Sequence, residues 1–334
     1  MVDKIPHAIK KGQSSSNADY SGPDDEFIGQ QLASHQMPRL TGERPTPGST
    51  PDSLLALHRA GYRELSQRIQ SNLVVDLGCG LGIDSISLSN CSVSDLERNE
   101  PTTDADNYTR EHRTVIGVDY DPGAAIQAFH RFKGLGFVGA CMNASNLAFR
   151  SSSIAAICSS HLIEHFANPE LHVGEVARVL ADHGTAFFLA PNATADFENP
   201  FHLTSFNRSQ LLGLLGQFFH EVWVGGLDGN PRVKADIGAR RVKANKLLAL
   251  DIFKLRHKLP KAWYVHAYTK ILPLTYRLVA RNDSNGNTGI TEDDFYVRQD
   301  VDETTLVLFA IALRPKVLAS PIVSYQPSKL SNAK

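Results

Sequence analysis

Two groups of residues in this sequence are of types that can do chemistry. The first is Asp76-Leu77-Gly78-Cys79-Gly80-Leu81-Gly82, an acid followed by glycines at alternate positions. The second is His161-Leu162-Ile163-Glu164-His165, with His202 later in the chain. Glycines at that spacing admit positive-φ conformations and let the backbone approach a ligand. The start of a following helix would add free N–H groups and a positive dipole end, so the first group suits an anionic or polar cofactor. In the second group, imidazoles that titrate near neutrality stand beside a carboxylate, a combination that serves proton transfer. Glu164, His165 and His202 would also supply metal ligands if they converge, although no metal signature of fixed short spacing is present.

These residues need elements to hold them. Val74-Val75 before Asp76 reads as a strand, and Ile83 to Leu88 after Gly82 reads as a helix. Asp52 to Ile69 repeats Leu54, Leu55, Leu57, Ala60, Leu65 and Ile69 on one helical face, with Asp52 or Ser53 as cap. Further strands are expected at 115–119, 137–138, 154–158, 185–190, 221–224 and 306–313. Helices are expected at 122–132, 169–180 and 233–259. Strands alternating with helices mean a doubly wound α/β fold with a parallel sheet, whose ligands bind outside the carboxyl ends of the strands.

Composition narrows the classes. Lys and Arg number 34 against 35 acids in 334 residues, for a formal net charge of -1, so nothing electrostatic points to nucleic acid. Cys79, Cys91, Cys141 and Cys158 form no CxxC pair and read as reduced thiols. With no apolar leader near Met1 and no run long enough to span a membrane, the expected setting is cytoplasmic. Residues 1–36 read as a disordered arm, 37–226 as the core, 227–303 as a helical lid or acceptor insertion, 304–315 as the last strand and 316–334 as a flexible tail. In 227–303, Thr291 is expected to cap a helix start at Glu292-Asp293-Asp294, and Trp263, Tyr264, His266 and Tyr268 are either core or a sugar-stacking surface. The basic stretch from Lys234 to Lys258 is either a solvated helix face or a partner surface, and the insertion is a candidate homo-oligomer contact.

Together these residues resemble the class I S-adenosylmethionine-dependent methyltransferases. Asp76 to Gly82 has their GxGxG form, whereas a nicotinamide-type fingerprint would place glycine at Ile83. Gly117-Val118-Asp119-Tyr120-Asp121, Asn143 with Leu147 and Phe149, His161 to His165, and Leu189-Ala190-Pro191-Asn192 are similar to the later motifs, in the right order. The resemblance implies a Rossmann-like, seven-stranded sheet with its last strand antiparallel and a helical insertion before that strand. It implies S-adenosylmethionine as cofactor. Asp76 would take the ammonium, the backbone from Gly78 through Cys79 and Gly80 to Gly82 would cradle the cofactor, and Asp119 would take the ribose hydroxyls. Tyr120 would pack on the adenine, Asn143 would accept the adenine amino group where the family commonly has Asp, and Ser160 would complete the set. Ala155 departs from the acid usual near that point, and Asp119 lies far beyond the ~20 residues usual between glycine turn and strand-end acid, because an acidic loop at 94–106 intervenes.

A narrower resemblance rests on Leu40-Thr41-Gly42-Glu43-Arg44, Ile163-Glu164-His165, Asn199-Pro200-Phe201-His202 and the segment 253–280. These look like actinobacterial sugar O-methyltransferases that act on the mannose of polymethylated polysaccharides. The implied reaction is in-line methyl transfer to a sugar hydroxyl of a small saccharide acceptor. A hydroxyl is a poor nucleophile while protonated, so the reaction calls for a general base or a metal. His165 is the first candidate base, with His202 and Glu164 as sugar-binding or assisting residues. The plainer alternative is that Glu164 and His165 cap the next helix. A divalent cation such as magnesium is the other route. Two further functions stay open: a lipid or quinone methyltransferase, and a scaffold protein that retains the fold.

Overall fold

Asp119 and Asp76 end neighbouring strands of one mixed sheet in the computed structural model, which describes residues 50–89, 113–196, 201–249 and 288–317. The eight strands are β1 (Leu73–Leu77), β2 (Thr114–Asp119), β3 (Phe137–Cys141), β4 (Ile154–Ser160), β5 (Leu180–Pro191), β6 (Phe219–Gly229), β7 (Phe295–Arg298) and β8 (Val307–Pro315), in the spatial order β3-β2-β1-β4-β5-β8-β6-β7. β1 to β5 pair in parallel, and β8 lies antiparallel between β5 and β6. The expected antiparallel last strand is therefore present. The expected count of seven is corrected to eight, because Phe295–Arg298 adds an edge strand antiparallel to β6. β7 has only four residues and falls inside the span expected to be helical, so no alternating run announced it.

Among the described residues five α-helices flank the sheet: α1 (Asp52–Arg68), α2 (Pro122–Phe132), α3 (Pro169–Val179), α4 (Arg208–Phe218) and α5 (Pro231–Ala249). Strand periodicity sorts their partners. Val75, Phe188 and Ala310 point into one apolar cluster with α3 and α4, while Val74, Phe187 and Phe309 point into the other with α1 and Phe132 of α2. Asp121 caps α2 by accepting from Gly123 N at 2.9 Å. Asp52 and Ser53 are not caps as expected: Pro51 occupies that place, and Ser53 Oγ donates instead to Asp236 Oδ2 of α5 at 2.7 Å. The helix expected after the glycine turn is a short 3-10 helix over Ser85–Ser89. Its length removes the long dipole that the sequence reading invoked, leaving the local N–H groups of the turn.

Thr291 begins the expected short helix, its N–H donating to Asp294 Oδ2 at 2.9 Å, and the helix is of the 3-10 type over Glu292–Asp294. The described cations of α5 bond within the chain: Lys234 to buried Asp228 at 2.8 Å, Arg240 to Asp236 at 3.0 Å, and Arg241 to the Thr194 carbonyl at 3.0 Å. Neither a solvated face nor a partner surface is decided by these bonds, and Lys254, Arg256 and Lys258 of the same stretch lie outside the described residues. Among the described residues no helix is long and apolar enough to cross a membrane. The arm, Thr41 to Arg44, the acidic loop, Asn199-Pro200, the segment 253–280 with its aromatic residues, and all but two residues of the tail lie outside the described residues.

Arg113, buried just before β2, joins the parts that support the glycine turn. Its guanidinium donates to the carbonyls of Ser71 at 2.9 Å, Leu88 at 2.8 Å and Ile69 at 2.7 Å, linking the α1–β1 connection to the 3-10 helix. Arg113→Ala leaves three carbonyls without that donor, each worth about 1–3 kcal/mol when buried and unsatisfied. The expected result is a loss of about 3 kcal/mol or more in urea unfolding. Arg113→Lys, a single point of donation, should recover only part of it.

Candidate active site

The carboxyl ends of β1, β2, β3 and β4 open onto a cleft of about 810 Å³. One wall is the glycine turn, with Gly78 at φ 78°, Gly80 at φ 56° and Gly82 at φ 70°. A side chain at Gly78 would also meet Leu162 at 3.0 Å, so glycine is required there twice over. The turn is tied back onto β2: Gly78 N and Cys79 N donate to the Val118 carbonyl at 2.7 and 3.0 Å, and Gly80 N donates to Asp119 Oδ2 at 2.8 Å. Asp119 Oδ1 accepts from Asp121 N at 2.9 Å. A carboxylate oxygen can accept more than one hydrogen bond, so an acid that holds the turn is also of a type that can receive hydroxyl donors from a ligand.

Cys79, Gly78, Gly80, Asp119, Tyr120, Asn143 and Ser160 all line this cleft, which brings together most of the expected cofactor residues. Tyr120 is 79% exposed, an aromatic face available to a flat ring. Asn143 Oδ1 accepts from Ser145 N at 2.9 Å, so one of its two acceptor sites is used by its own turn. Gly82 and Asp76 are different. Gly82 is buried against Ala128, Phe132 and Phe137, and Asp76 is fully buried behind the wall. Asp76 Oδ2 accepts from Tyr62 Oη at 3.0 Å and from Ser85 Oγ, while Oδ1 has no hydrogen-bond partner among the described residues. Burial pushes its carboxyl up to about 7. Ser160 Oγ is likewise buried without a described partner. Unsatisfied buried acceptors and donors around a positive-φ turn fit a polar cofactor carrying an ammonium and hydroxyls.

The opposite wall carries the second group. Glu164, His165 and His202 each offer a ligand or acid–base atom within 4.8 Å of the others. His165 lines the cleft, and its Nδ1 is 3.1 Å from the Phe201 carbonyl. A carbonyl can only accept, so Nδ1 is the donor in that contact. His202 Nδ1 is held by Asp196 Oδ2 at 2.7 Å, and the two rings meet edge to face at 5.2 Å. Glu164 is 1% exposed and neither carboxylate oxygen has a described hydrogen-bond partner. Burial pushes it up to about 7. The alternative in which Glu164 caps the next helix is not what its side chain does. Its backbone carbonyl instead accepts from Leu203 N and Thr204 N at 2.8 and 3.0 Å, anchoring the segment that carries His202.

Several neighbours escaped the sequence reading. His58 and Tyr62, one helical turn apart on α1, both line the cleft, and the i, i+4 spacing was the available signal. His58 packs against His161 with ring centroids 4.4 Å apart and planes tilted by 34°, and burial, then the neighbouring imidazole, lowers its pKa. His161 holds φ 50°, its Nδ1 is 3.6 Å from Glu164 Oε1, and burial depresses its pKa to about 4. Behind the wall, His172 bridges Ser159 Oγ at 2.9 Å and the Ala144 carbonyl at 3.0 Å, stacked on Phe166.

Residues 75–188 match the family model described as a methyltransferase domain. Those residues are an S-adenosylmethionine-dependent methyltransferase domain. No curated protein matches the chain. Among solved structures, it is similar to a possible histamine N-methyltransferase from Thermotoga maritima (15% identity, 77% of this chain and 90% of that one, TM-score 0.44). It is also similar to phosphoethanolamine N-methyltransferase 2 of Haemonchus contortus in complex with S-adenosyl-L-methionine (14% identity, 79% and 52%, TM-score 0.42). A third is the [4+2]-cyclase SpnF (13% identity, 86% and 92%, TM-score 0.45).

In the methyltransferase domain, Asp119→Ala removes the acceptor for Gly80 N and for the ligand hydroxyls together. Calorimetry should show S-adenosylmethionine affinity reduced on the order of ten- to hundredfold. A pH effect follows from the buried acids. Asp76 and Glu164 near 7, and Asp84 raised to about 6 mainly by burial, bind protons in the folded state that the unfolded chain has already lost. Stability is therefore greatest below about pH 4 with respect to these groups, and falls as pH rises toward 7. Thermal melts between pH 5 and 7.5 should show that fall, and Asp76→Asn should remove part of the slope. An ammonium brought to Oδ1 favours the ionised carboxylate, so cofactor affinity should rise over the same window in the native protein and less in Asp76→Asn.

Proposed function

We propose that the protein transfers a methyl group from S-adenosylmethionine to a hydroxyl of a saccharide acceptor of the mannose type. When bound, the cofactor supplies an electrophilic methyl group on sulfur. The chain's own residues must then hold the acceptor behind that methyl, keep water out and take up the hydroxyl proton. The convergence of Glu164, His165 and His202 across the cleft from the glycine turn carries this reading. An amine acceptor is nucleophilic once neutral, whereas a hydroxyl requires activation, and a cluster of two imidazoles and a buried carboxylate is equipped for it. His165 is the member that lines the cleft, so an acceptor hydroxyl meets it first, as a proton acceptor or through a divalent cation held by all three. The sugar assignment within the hydroxyl class rests on the sequence likeness at Thr41 to Arg44, Ile163 to His165 and Asn199 to His202.

A lipid or quinone acceptor is the second reading, favoured by the apolar stretch of wall at Leu162, Phe166, Phe201 and Leu203. A scaffold role draws less support, since the described cations of α5 are engaged within the chain.

An acceptor screen with methyl-labelled cofactor against mannosides, other glycans and lipid extracts separates the readings. Label is expected in the mannoside fraction; label confined to lipid transfers the assignment to the second reading. His165→Ala should keep cofactor affinity within a few fold and lose on the order of 10²–10⁴ in turnover. Full turnover in that variant would remove His165 from the reaction.

A further inference from the structure

We infer that His172, buried on α3 behind the cleft, is a positioning residue that sets the selectivity of the cofactor site for adenine by fixing the turn that carries Asn143. The inference rests on the reading in which Asn143 receives the adenine amino group of S-adenosylmethionine.

That turn lies beyond the ladder that pairs β3 with β2. It is closed by Asn146 N, which donates to the Asn143 carbonyl at 2.8 Å, and Met142 N ties its start to the Asp119 carbonyl at 3.1 Å. α3 grips it from behind. His172, Glu175 and Arg178 recur at three-residue spacing along that helix and so share a face. His172 Nδ1 is 3.0 Å from the Ala144 carbonyl, Glu175 Oε2 accepts from Leu147 N at 2.7 Å, and Arg178 Nη2 donates to the Leu147 carbonyl at 2.8 Å. Ala144 lines the cleft beside Asn143, so of the three His172 acts nearest to the ligand-facing residues.

The His172 ring has one orientation open to it. A carbonyl only accepts, so Nδ1 donates to Ala144. Burial holds the imidazole down at about 4, and the neutral ring accepts at Nε2 from Ser159 Oγ at 2.9 Å. Phe166 stacks on the ring with centroids 4.7 Å apart and planes 6° from parallel, and Phe188 meets it edge-on at 6.2 Å. A fully buried ring bonded at both nitrogens therefore fixes the Ala144 carbonyl relative to β4.

The consequence is the direction of an amide. Asn143 Oδ1 accepts from Ser145 N at 2.9 Å, inside the same turn. Turning the amide over would set its NH₂ against that N–H, so the oxygen end stays where it is. An amide oxygen has room for a second donor, such as the amino group of adenine, but repels the oxo group that hypoxanthine carries at the same edge. Once Ala144 is released, Ser145 moves with it, the amide is free to turn over, and either ring is accepted.

The test uses the full-length protein and calorimetric binding of S-adenosylhomocysteine and of its inosine counterpart, in which an oxo group replaces the amino group. The native protein should prefer the adenine form by about tenfold or more. His172→Phe keeps a flat ring against Phe166 and removes both hydrogen bonds; it should reduce the preference to about threefold or less, with thermal melts showing that the variant is folded. Asn143→Ala should do the same, and His172→Gln, which can still donate to the Ala144 carbonyl, should recover part of the preference. A purely structural histidine would lower both affinities alike. An unchanged preference in folded His172→Phe, whatever the affinities, would therefore overturn the inference and leave the role of Asn143 standing. If His172→Phe does not fold, Ser159→Ala decides, because it frees Nε2 and with it the ring: a preference lowered about threefold supports the inference, and an unchanged one overturns it. A native protein without preference, or a preference that survives Asn143→Ala, removes Asn143 as the reader of the ring and takes the inference with it. If neither ligand binds the native protein, the cofactor reading itself falls.

Discussion

The bond from Gly80 N to the Asp119 carboxylate is the constraint on which the cofactor wall depends. A parallel sheet holds its strands together by hydrogen bonds along their length, yet the loops leaving the carboxyl ends have no ladder to join. Here the turn after β1 finds its partners on β2, at the Val118 carbonyl and the Asp119 side chain. Three positive-φ glycines make that return possible, and the acid that would receive a ligand also clamps the loop that would cradle it. The wall is therefore pre-organised by a contact to the acid that, on the proposed reading, receives the ligand.

Holding such a site open has a thermodynamic cost. Asp76, Asp84 and Glu164 are all pushed toward neutrality by burial, and Ser160 and Glu164 keep unsatisfied polar atoms. The cost is offset in the layers around the sheet. Phe187, Phe188, Phe219 and Phe309 are all essentially inaccessible, on β5, β6 and β8. A burial of about 1.5–3 kcal/mol for each such side chain can support several strained or unpaired groups at one edge. Stability resides in the sheet and its two apolar faces, and the chemistry resides where the sheet ends.

Much of this was legible in the sequence, for identifiable reasons. The parallel strands are runs of β-branched and apolar residues bounded by glycine or acid, and the alternation with helices fixed the class. Asp76 to Gly82 and Asp119 were readable because positive φ and a strand-end acid leave traces in residue type. β7 was not legible, since Phe295 to Arg298 owes its strand character to pairing with β6 and not to any local pattern. The short helix at Ser85–Ser89 was misread because apolar spacing cannot separate 3-10 from α over five residues. Convergence was the largest gap. Nothing in the spacing of Glu164, His165 and His202 says that Leu203 and Thr204 hydrogen-bond to the Glu164 carbonyl, yet that is what brings the two segments together.

That backbone junction also explains how the two walls can serve different ends. The glycine turn, β2 and Asn143 belong to the segment that matches the methyltransferase domain, whereas His202 and its support Asp196 lie beyond its last matched residue. Glu164 and His165 follow β4 within the matched residues and are bonded to a segment outside them. On the proposed reading, changes in the segment around His202 would alter how an acceptor is held or activated without disturbing the glycine turn. The cofactor end is constrained by backbone geometry that few sequences satisfy, while the acceptor end depends on side chains that a neighbouring segment delivers. On the proposed reading, the identity of the acceptor is written in the Glu164–His165–His202 wall rather than in the glycine turn.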